Sequence, residues 1–321
     1  MAVYTTVSAA DLTAFLAQYD SGKLLSFSGI SEGIENSNYF VRTTAGQFIL
    51  TLFEKRVNPD ELPYFLNLMT HLRQKGIICP LPIAGTDGKT LRDLCAKKAC
   101  LTTFLEGKSV RDISPDHCAE LGRAMARMHL AGIDYAGYRP NDLSVGGWEK
   151  LLAKIGRSAD AIENGIYDEM AEALDFLKKN FPSGLPQGVI HADLFPDNVF
   201  FTRDKLSGII DFYFACNDAL AYELAVCLNA WCFEARTGRF FRDKAERMMT
   251  AYQQIRPLTP EEKDAFPLLA QGSALRFLLT RSYDWLNRPE NASVTPKDPA
   301  EYIRKLRFHK QAGSFRDYGL I

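Results

Sequence analysis

The sequence predicts an α+β fold in two lobes: a small antiparallel-sheet N-lobe, then a larger and mainly helical C-lobe. Two observations carry this. Within the first hundred residues short strand-like runs alternate with tight turns around one well-marked helix, whereas the remainder shows long segments with apolar residues at helical spacing. The chain, at 321 residues, is long enough to bury a core in each lobe. The expected division is 1–102 for the N-lobe, 103–107 for a short hinge and 108–321 for the C-lobe. A ligand is expected in the cleft between two such lobes.

Each element has a local reason. Ser8 can cap a helix running through Asp11 to Tyr19. Leu24–Gly29, Asn38–Thr43 and Gln47–Phe53 read as strands, the last two joined by the tight turn Thr44-Ala45-Gly46. Asn58-Pro59-Asp60-Glu61 starts a helix with a cap, a first-turn proline and acids at the positive dipole end. Phe65, Leu68, Met69 and Leu72 follow at helical spacing, and Gly76 ends the run. Pro82–Gly85 and Thr90–Leu94 read as strands flanking Asp87-Gly88, and Ala99–Leu105 as a further apolar strand. Ser114-Pro115-Asp116 opens a helix whose Leu121, Met125 and Met128 face a core. Further helical patterns cover about 148–157, 167–180, 218–236, 240–254, 260–286 and 299–311.

Composition narrows the function. Thirty-eight basic against 39 acidic residues leave a net charge of -1, so no basic excess argues for nucleic acid or an anionic membrane as partner. No apolar run approaches the length of a membrane span, and no Lys or Arg precedes Lys23, unlike a secretory or transit segment. Seven cysteines, an odd number without a Cys-x-x-Cys pair, read as reduced thiols of a cytoplasmic protein. The five histidines lie at no zinc-ligand spacing.

The chemistry concentrates in His191-Ala192-Asp193-Leu194-Phe195-Pro196-Asp197-Asn198, followed after one short hairpin by Asp211. His-x-Asp, four residues, Asn, then an Asp closing an apolar strand is the layout of a kinase C-lobe. Phosphoryl transfer explains each residue type. Asp193 can orient an attacking hydroxyl and accept its proton; Asn198 and Asp211 can hold Mg²⁺ against nucleotide phosphates. Gly188-Val189-Ile190 delivers His191 to the end of a strand. The strands Val199–Thr202 and Ser207–Ile210, joined by Arg203-Asp204-Lys205, fold Asp211 back toward Asn198. A loop whose Asp and Asn merely cap turns would not require five specified positions with these intervening strands. In this layout His191 supports the loop, and His129, on an apolar helix face, reads as a core histidine.

These motifs, with Gly33–Tyr39, Phe48–Glu54, Ile209–Asp218 and Ala274-Leu275-Arg276-Phe277, give a chain that resembles the aminoglycoside-phosphotransferase-like small-molecule kinases over nearly its whole length. Within that group it looks most like the homoserine kinases. The resemblance implies a protein-kinase-like bilobal fold with ATP in the cleft and Mg²⁺ as the metal. It implies backbone bonds from a hinge strand, Thr103–Leu105, to adenine, and a turn at Ser31–Ser37, with Asn38 after it, over the phosphates. It also implies a cytoplasmic enzyme of threonine biosynthesis with L-homoserine as its small-molecule partner. One departure stands out: the third strand, where kinases carry a phosphate-pairing Lys or Arg, presents Thr51. Lys55 and Arg56, just past the strand, are the other candidates, beside a reading as solvated strand-end residues.

Homoserine is a zwitterion with a free hydroxyl, so its pocket needs a cation, acids and Asp193. Arg276 and Arg281 lie in a long apolar helix, where a charge is awkward unless paired, and Arg276 is the favoured carboxylate partner. Asp218 and Glu223 are candidate acids, with Tyr222 and Trp231 as walls. A structural role stands beside each of these, bracing of the catalytic loop for Glu223 and core packing for Trp231. The alternatives are the same reaction on hydroxylysine, choline, fructosamine or an aminoglycoside, and a nucleotide-binding pseudokinase motivated by Thr51.

Overall fold

The computed structural model describes residues 4–31, 36–54, 58–288 and 296–320. The chain forms two compact units, one of residues 1–107 with 207–213 and one of residues 108–206 with 214–321. The architecture is α+β, with a five-stranded antiparallel sheet in the first unit and mainly helices in the second.

The first unit begins with α1 (Ala9–Leu16), capped by the Ser8 hydroxyl, which accepts a bond from Asp11 N at 3.1 Å. Strands β1 (Leu24–Gly29), β2 (Ser37–Thr43) and β3 (Gly46–Leu52) follow, then α2 (Leu62–Gln74), β4 (Leu91–Leu94) and β5 (Lys97–Thr103), in the sheet order β1-β2-β3-β5-β4. Alternation in β2 sends Tyr39 and Val41 into a core shared with Leu12, Phe15, Leu50, Leu52 and Leu101. Asn58 caps a 3₁₀ turn that leads into α2, which buries Phe65, Leu68, Met69 and Leu72.

Two expectations need correction here. Pro82–Gly85 is not a strand: Pro82 makes a single bridge to Thr102, because Pro80 and Pro82 have no N–H to offer a ladder. The strand expected to reach Leu105 stops at Thr103. Residues 207–213 complete this unit, with Ile209 N donating to Ile78 O at 2.9 Å and Ser207 Oγ to Glu106 O at 2.8 Å. Leu105 packs closely over Gly208, where a Cβ would meet Leu105 Cδ1 at 2.8 Å and the leucine side chain would have to shift.

The second unit contains α3 (Pro115–Ala131), α4 (Val145–Ile155), α5 (Ile166–Asn180), β6 (Gln187–Ile190), β7 (Val199–Thr202) and the start of β8 (Lys205–Ile209). β9 (Cys216–Ala219), α6 (Leu220–Trp231), α7 (Arg242–Gln253), α8 (Pro260–Leu286) and α9 (Ala300–Gln311) complete it. Arg203 and Asp204 take φ 48° and 61°, the left-handed pair of a two-residue hairpin turn. β6 and β9 pair antiparallel, Ile190 opposite Cys216 and Gln187 opposite Ala219. The expected helix start at 218 is therefore displaced, because the first two of those residues belong to β9. The 27-residue α8 is buried almost all round, as befits a central helix, and packs against α4, α6 and α9. Among the described residues no helix is long and apolar enough to cross a membrane.

Candidate active site

β6 ends at Ile190, and the loop that follows is held from below by side chains of α6 and α8. Ala192 sits at φ 63°, a left-handed conformation that costs a non-glycine residue about 1–2 kcal/mol. Three buried side chains fix it. Glu223, fully buried on α6, accepts bonds from the backbone N–H groups of His191 and Ala192, the latter at 2.9 Å. Arg276 on α8 donates from Nη1 to Ala192 O at 2.8 Å. Trp231 donates from Nε1 to Leu194 O at 2.7 Å. His191, also buried, accepts from Asp193 N at 3.3 Å through Nδ1.

On this braced loop Asn198 donates from Nδ2 to Asp193 O at 2.8 Å and to Asp193 Oδ2 at 3.0 Å. Both partners are acceptors, so the NH₂ end of the amide must face Asp193 and the carbonyl end turns away. The structure thus unites Asp193 and Asn198 and sets Glu223 and Arg276 beneath them. Glu223 has both carboxylate oxygens on loop N–H groups and no exposed surface, so its placement supports bracing rather than substrate contact. Arg276, only 2% exposed, has the same character. Asp218 lies in β9, where it accepts from Asn141 Nδ2 and from Ala219 N, each at 2.7 Å. Burial raises the Tyr222 hydroxyl well above its ordinary pKa, with the Arg276 charge beside it opposing. His129 is a core residue, with Nδ1 2.8 Å from the Tyr252 hydroxyl and its pKa lowered by burial.

In the first unit, the Ser37 hydroxyl is buried and accepts from Tyr4 N at 2.9 Å and Thr5 N at 3.0 Å while donating to Glu54 Oε1 at 2.7 Å. Lys97 pairs with the other oxygen of Glu54 at 3.0 Å. Asn38 Oδ1 accepts from Thr51 Oγ1 at 2.7 Å, so the residue in the usual lysine position serves its neighbouring strand. Thr103 Oγ1 accepts from Leu81 N at 3.0 Å, and Thr103 N donates to Leu81 O at 3.0 Å. Leu105 packs over Gly208. Asp211 takes φ 65°, and two residues on Tyr213 meets Phe53 and Phe65 edge-to-face at 5.1 and 5.8 Å. Gly33 of the expected phosphate-covering turn, Lys55 and Arg56 lie outside the described residues.

Sequence reasoning missed the Trp231 pin, the Ser37–Glu54–Lys97 chain and the Thr51–Asn38 bond. A signal existed for Glu54, an acid ending an apolar strand, but none pointed to its partners.

The model of the phosphotransferase enzyme family matches residues 26–258. The chain is 56% identical to a homoserine kinase of Xanthobacter autotrophicus over 320 residues, which is 100% of this chain and 99% of the relative. It is 55% identical to a homoserine kinase of Rhizobium etli with the same coverage. Among solved structures it is similar in fold to the amicoumacin kinase hAmiN in complex with AMP-PNP, Ca²⁺ and Ami. The TM-score is 0.68 at 13% identity, covering 96% of this chain and 95% of that one.

Proposed function

The chain belongs to the phosphotransferase enzyme family, and on that footing we propose that it transfers the γ-phosphoryl group of ATP to the side-chain hydroxyl of L-homoserine. The observation that carries the chemistry is the braced pairing of Asp193 with Asn198. Homoserine as acceptor is supported by the full-length likeness, at 56% identity, to a homoserine kinase.

Asp193 orients the acceptor hydroxyl and takes its proton while the new O–P bond forms and the bond to the ADP oxygen breaks. The inward turn of the Asn198 NH₂ leaves its carbonyl oxygen as the donor it presents. That oxygen and the Asp211 carboxylate are the hard ligands Mg²⁺ prefers. These two residues would hold Mg²⁺, whose charge would neutralise the nucleotide phosphates. In this reading adenine takes backbone bonds from Thr103–Leu105. Ser37 and Asn38 lie toward the phosphates in the same reading, with the Ser37 hydroxyl and Asn38 Oδ1 already engaged within the sheet unit. Seven free cysteines accord with a reducing, cytoplasmic setting. The reaction would be a step of threonine biosynthesis.

The test is Mg²⁺-ATP consumption with homoserine, serine, hydroxylysine, choline, a fructosamine and an aminoglycoside. Turnover is expected with homoserine and should fall about 10²–10⁴-fold in Asp193→Asn. Preference for another acceptor would overturn the substrate, and ATP binding without turnover on any would overturn the reaction.

A further inference from the structure

A cavity of about 340 Å³ in the second unit is lined by Phe195, Pro196 and Asp197 of the catalytic loop, by Arg281 of α8 and Glu301 of α9, and by Lys297 at its rim. Its charge is unbalanced. Arg281, with 9% of its side chain exposed, bonds through Nη1 to Glu301 Oε2 at 2.5 Å and to Asp298 O at 3.3 Å. Glu301 must also serve Lys305, which is almost fully buried and bonded to its other oxygen. Two buried cations therefore share one carboxylate. The Tyr302 ring lies between them, 4.4 Å from the Arg281 guanidinium and 4.3 Å from the Lys305 ammonium. Lys297 adds a cation 3.0 Å from Asp197 and 4.9 Å from the Phe195 ring. Burying charge without matching counter-charge is expensive, and a second anion would complete this cluster. Among the described residues only Nη1 of the Arg281 fork is engaged, although a guanidinium has five N–H groups.

We propose that this cavity takes the α-carboxylate of the acceptor, with Arg281 as its principal partner and Lys297 at the rim. The inference rests on the proposed function and deepens it. It moves the carboxylate from Arg276, whose Nη1 holds Ala192 O, to an arginine lining a cavity whose loop wall begins at Phe195, two residues after Asp193. The substrate class that follows is an α-amino acid bearing a side-chain hydroxyl. An amino alcohol or a polycationic amino sugar offers this cluster no anion.

The experiment compares steady-state kinetics of the full chain on L-homoserine and on 3-aminopropan-1-ol, its analogue without the carboxylate. Wild type should prefer homoserine in kcat/KM. Arg281→Met should reduce that preference by about thirtyfold or more, mainly through a higher KM for homoserine, with the KM for ATP as the check on folding. Arg281→Lys keeps the charge beside Glu301 but not the fork, and should give a smaller reduction of the same kind; it decides the matter if the methionine variant does not fold. Homoserine turnover with an unchanged preference in both variants would overturn the carboxylate site and leave the function standing. No homoserine turnover by wild type would overturn the function and this assignment with it.

Discussion

Glu223 offers a direct test of how the catalytic loop is held. Its carboxylate accepts two buried backbone N–H groups, from His191 and Ala192, and Ala192 is in the left-handed region. Hydrogen bonds to a charged group contribute about 1.5–3 kcal/mol each. Glu223→Ala strands both donors in a dry site and should destabilise the protein by about 3–6 kcal/mol. Glu223→Gln keeps the shape and one acceptor but turns an NH₂ toward the other N–H, so about half that loss is expected. The loop carries Asp193, and a displacement on the order of 1 Å costs roughly 10²-fold in rate. Urea unfolding gives the stability change, and kcat with separate KM values for ATP and acceptor gives the functional one. Both variants should lose kcat, with the KM for ATP nearly unchanged and Gln the milder. A Glu223→Gln enzyme with intact kcat and a raised KM for the acceptor alone would refute bracing and return Glu223 to the substrate.

Other outcomes follow from buried groups. Burial lowers Lys305 from 10.5 to about 8, against the pull of Glu301 and with Arg281 beside it. The folded protein thus binds fewer protons than the unfolded chain between those values. Stability should rise as pH climbs through that window, by about 3 kcal/mol in all, and Lys305→Met should abolish the rise in urea unfolding at pH 7 and pH 10. His309 bridges Asn229 Oδ1 at 2.8 Å and the Tyr318 hydroxyl at 3.0 Å, and burial with Lys305 nearby lowers its pKa from 6.5 to about 3. The unfolded chain takes up this proton first, so stability should fall as pH drops from about 6.5 toward 3. His309→Gln, which can keep both neutral bonds, should lose less, a difference of about 1.4 kcal/mol per pH unit in that range. Trp231→Phe removes the pin on Leu194 O and should cost about 1–2 kcal/mol with a severalfold lower kcat; unchanged kinetics would show the pin dispensable.

What was legible in the sequence was whatever depends on local spacing. The 260–286 helix appears as read because its cap, first-turn proline and apolar run are all local, and Asp193 and Asn198 meet because they share one short loop. β9 was hidden, since Cys216–Ala219 has no strand propensity and extends only because it pairs with β6. Arg276 was visible as a charge in an apolar helix, but its partner is a backbone carbonyl 84 residues away. Ser37 was read toward the nucleotide, whereas its hydroxyl is claimed by Tyr4 and Thr5, 33 and 32 residues upstream. Arg281 shows the same limit: its sequence neighbours suggest a paired charge, and only the folded chain reveals that Glu301 is shared with Lys305.

The first unit is discontinuous in sequence. Residues 1–107 end before the segment 207–213 that seats Ser207 on Glu106, Ile209 on Ile78 and Tyr213 against Phe53 and Phe65. A gene fragment cut at residue 107 would encode a sheet with Leu105 uncovered and Phe53 and Phe65 missing an aromatic neighbour, and it should be recovered as insoluble material. Supplying 207–213 through a short glycine-rich connector would restore those contacts within a single contiguous polypeptide. Exchanging this half of the molecule with a related enzyme therefore requires two splice points on the distal side, one on each flank of the returning strand.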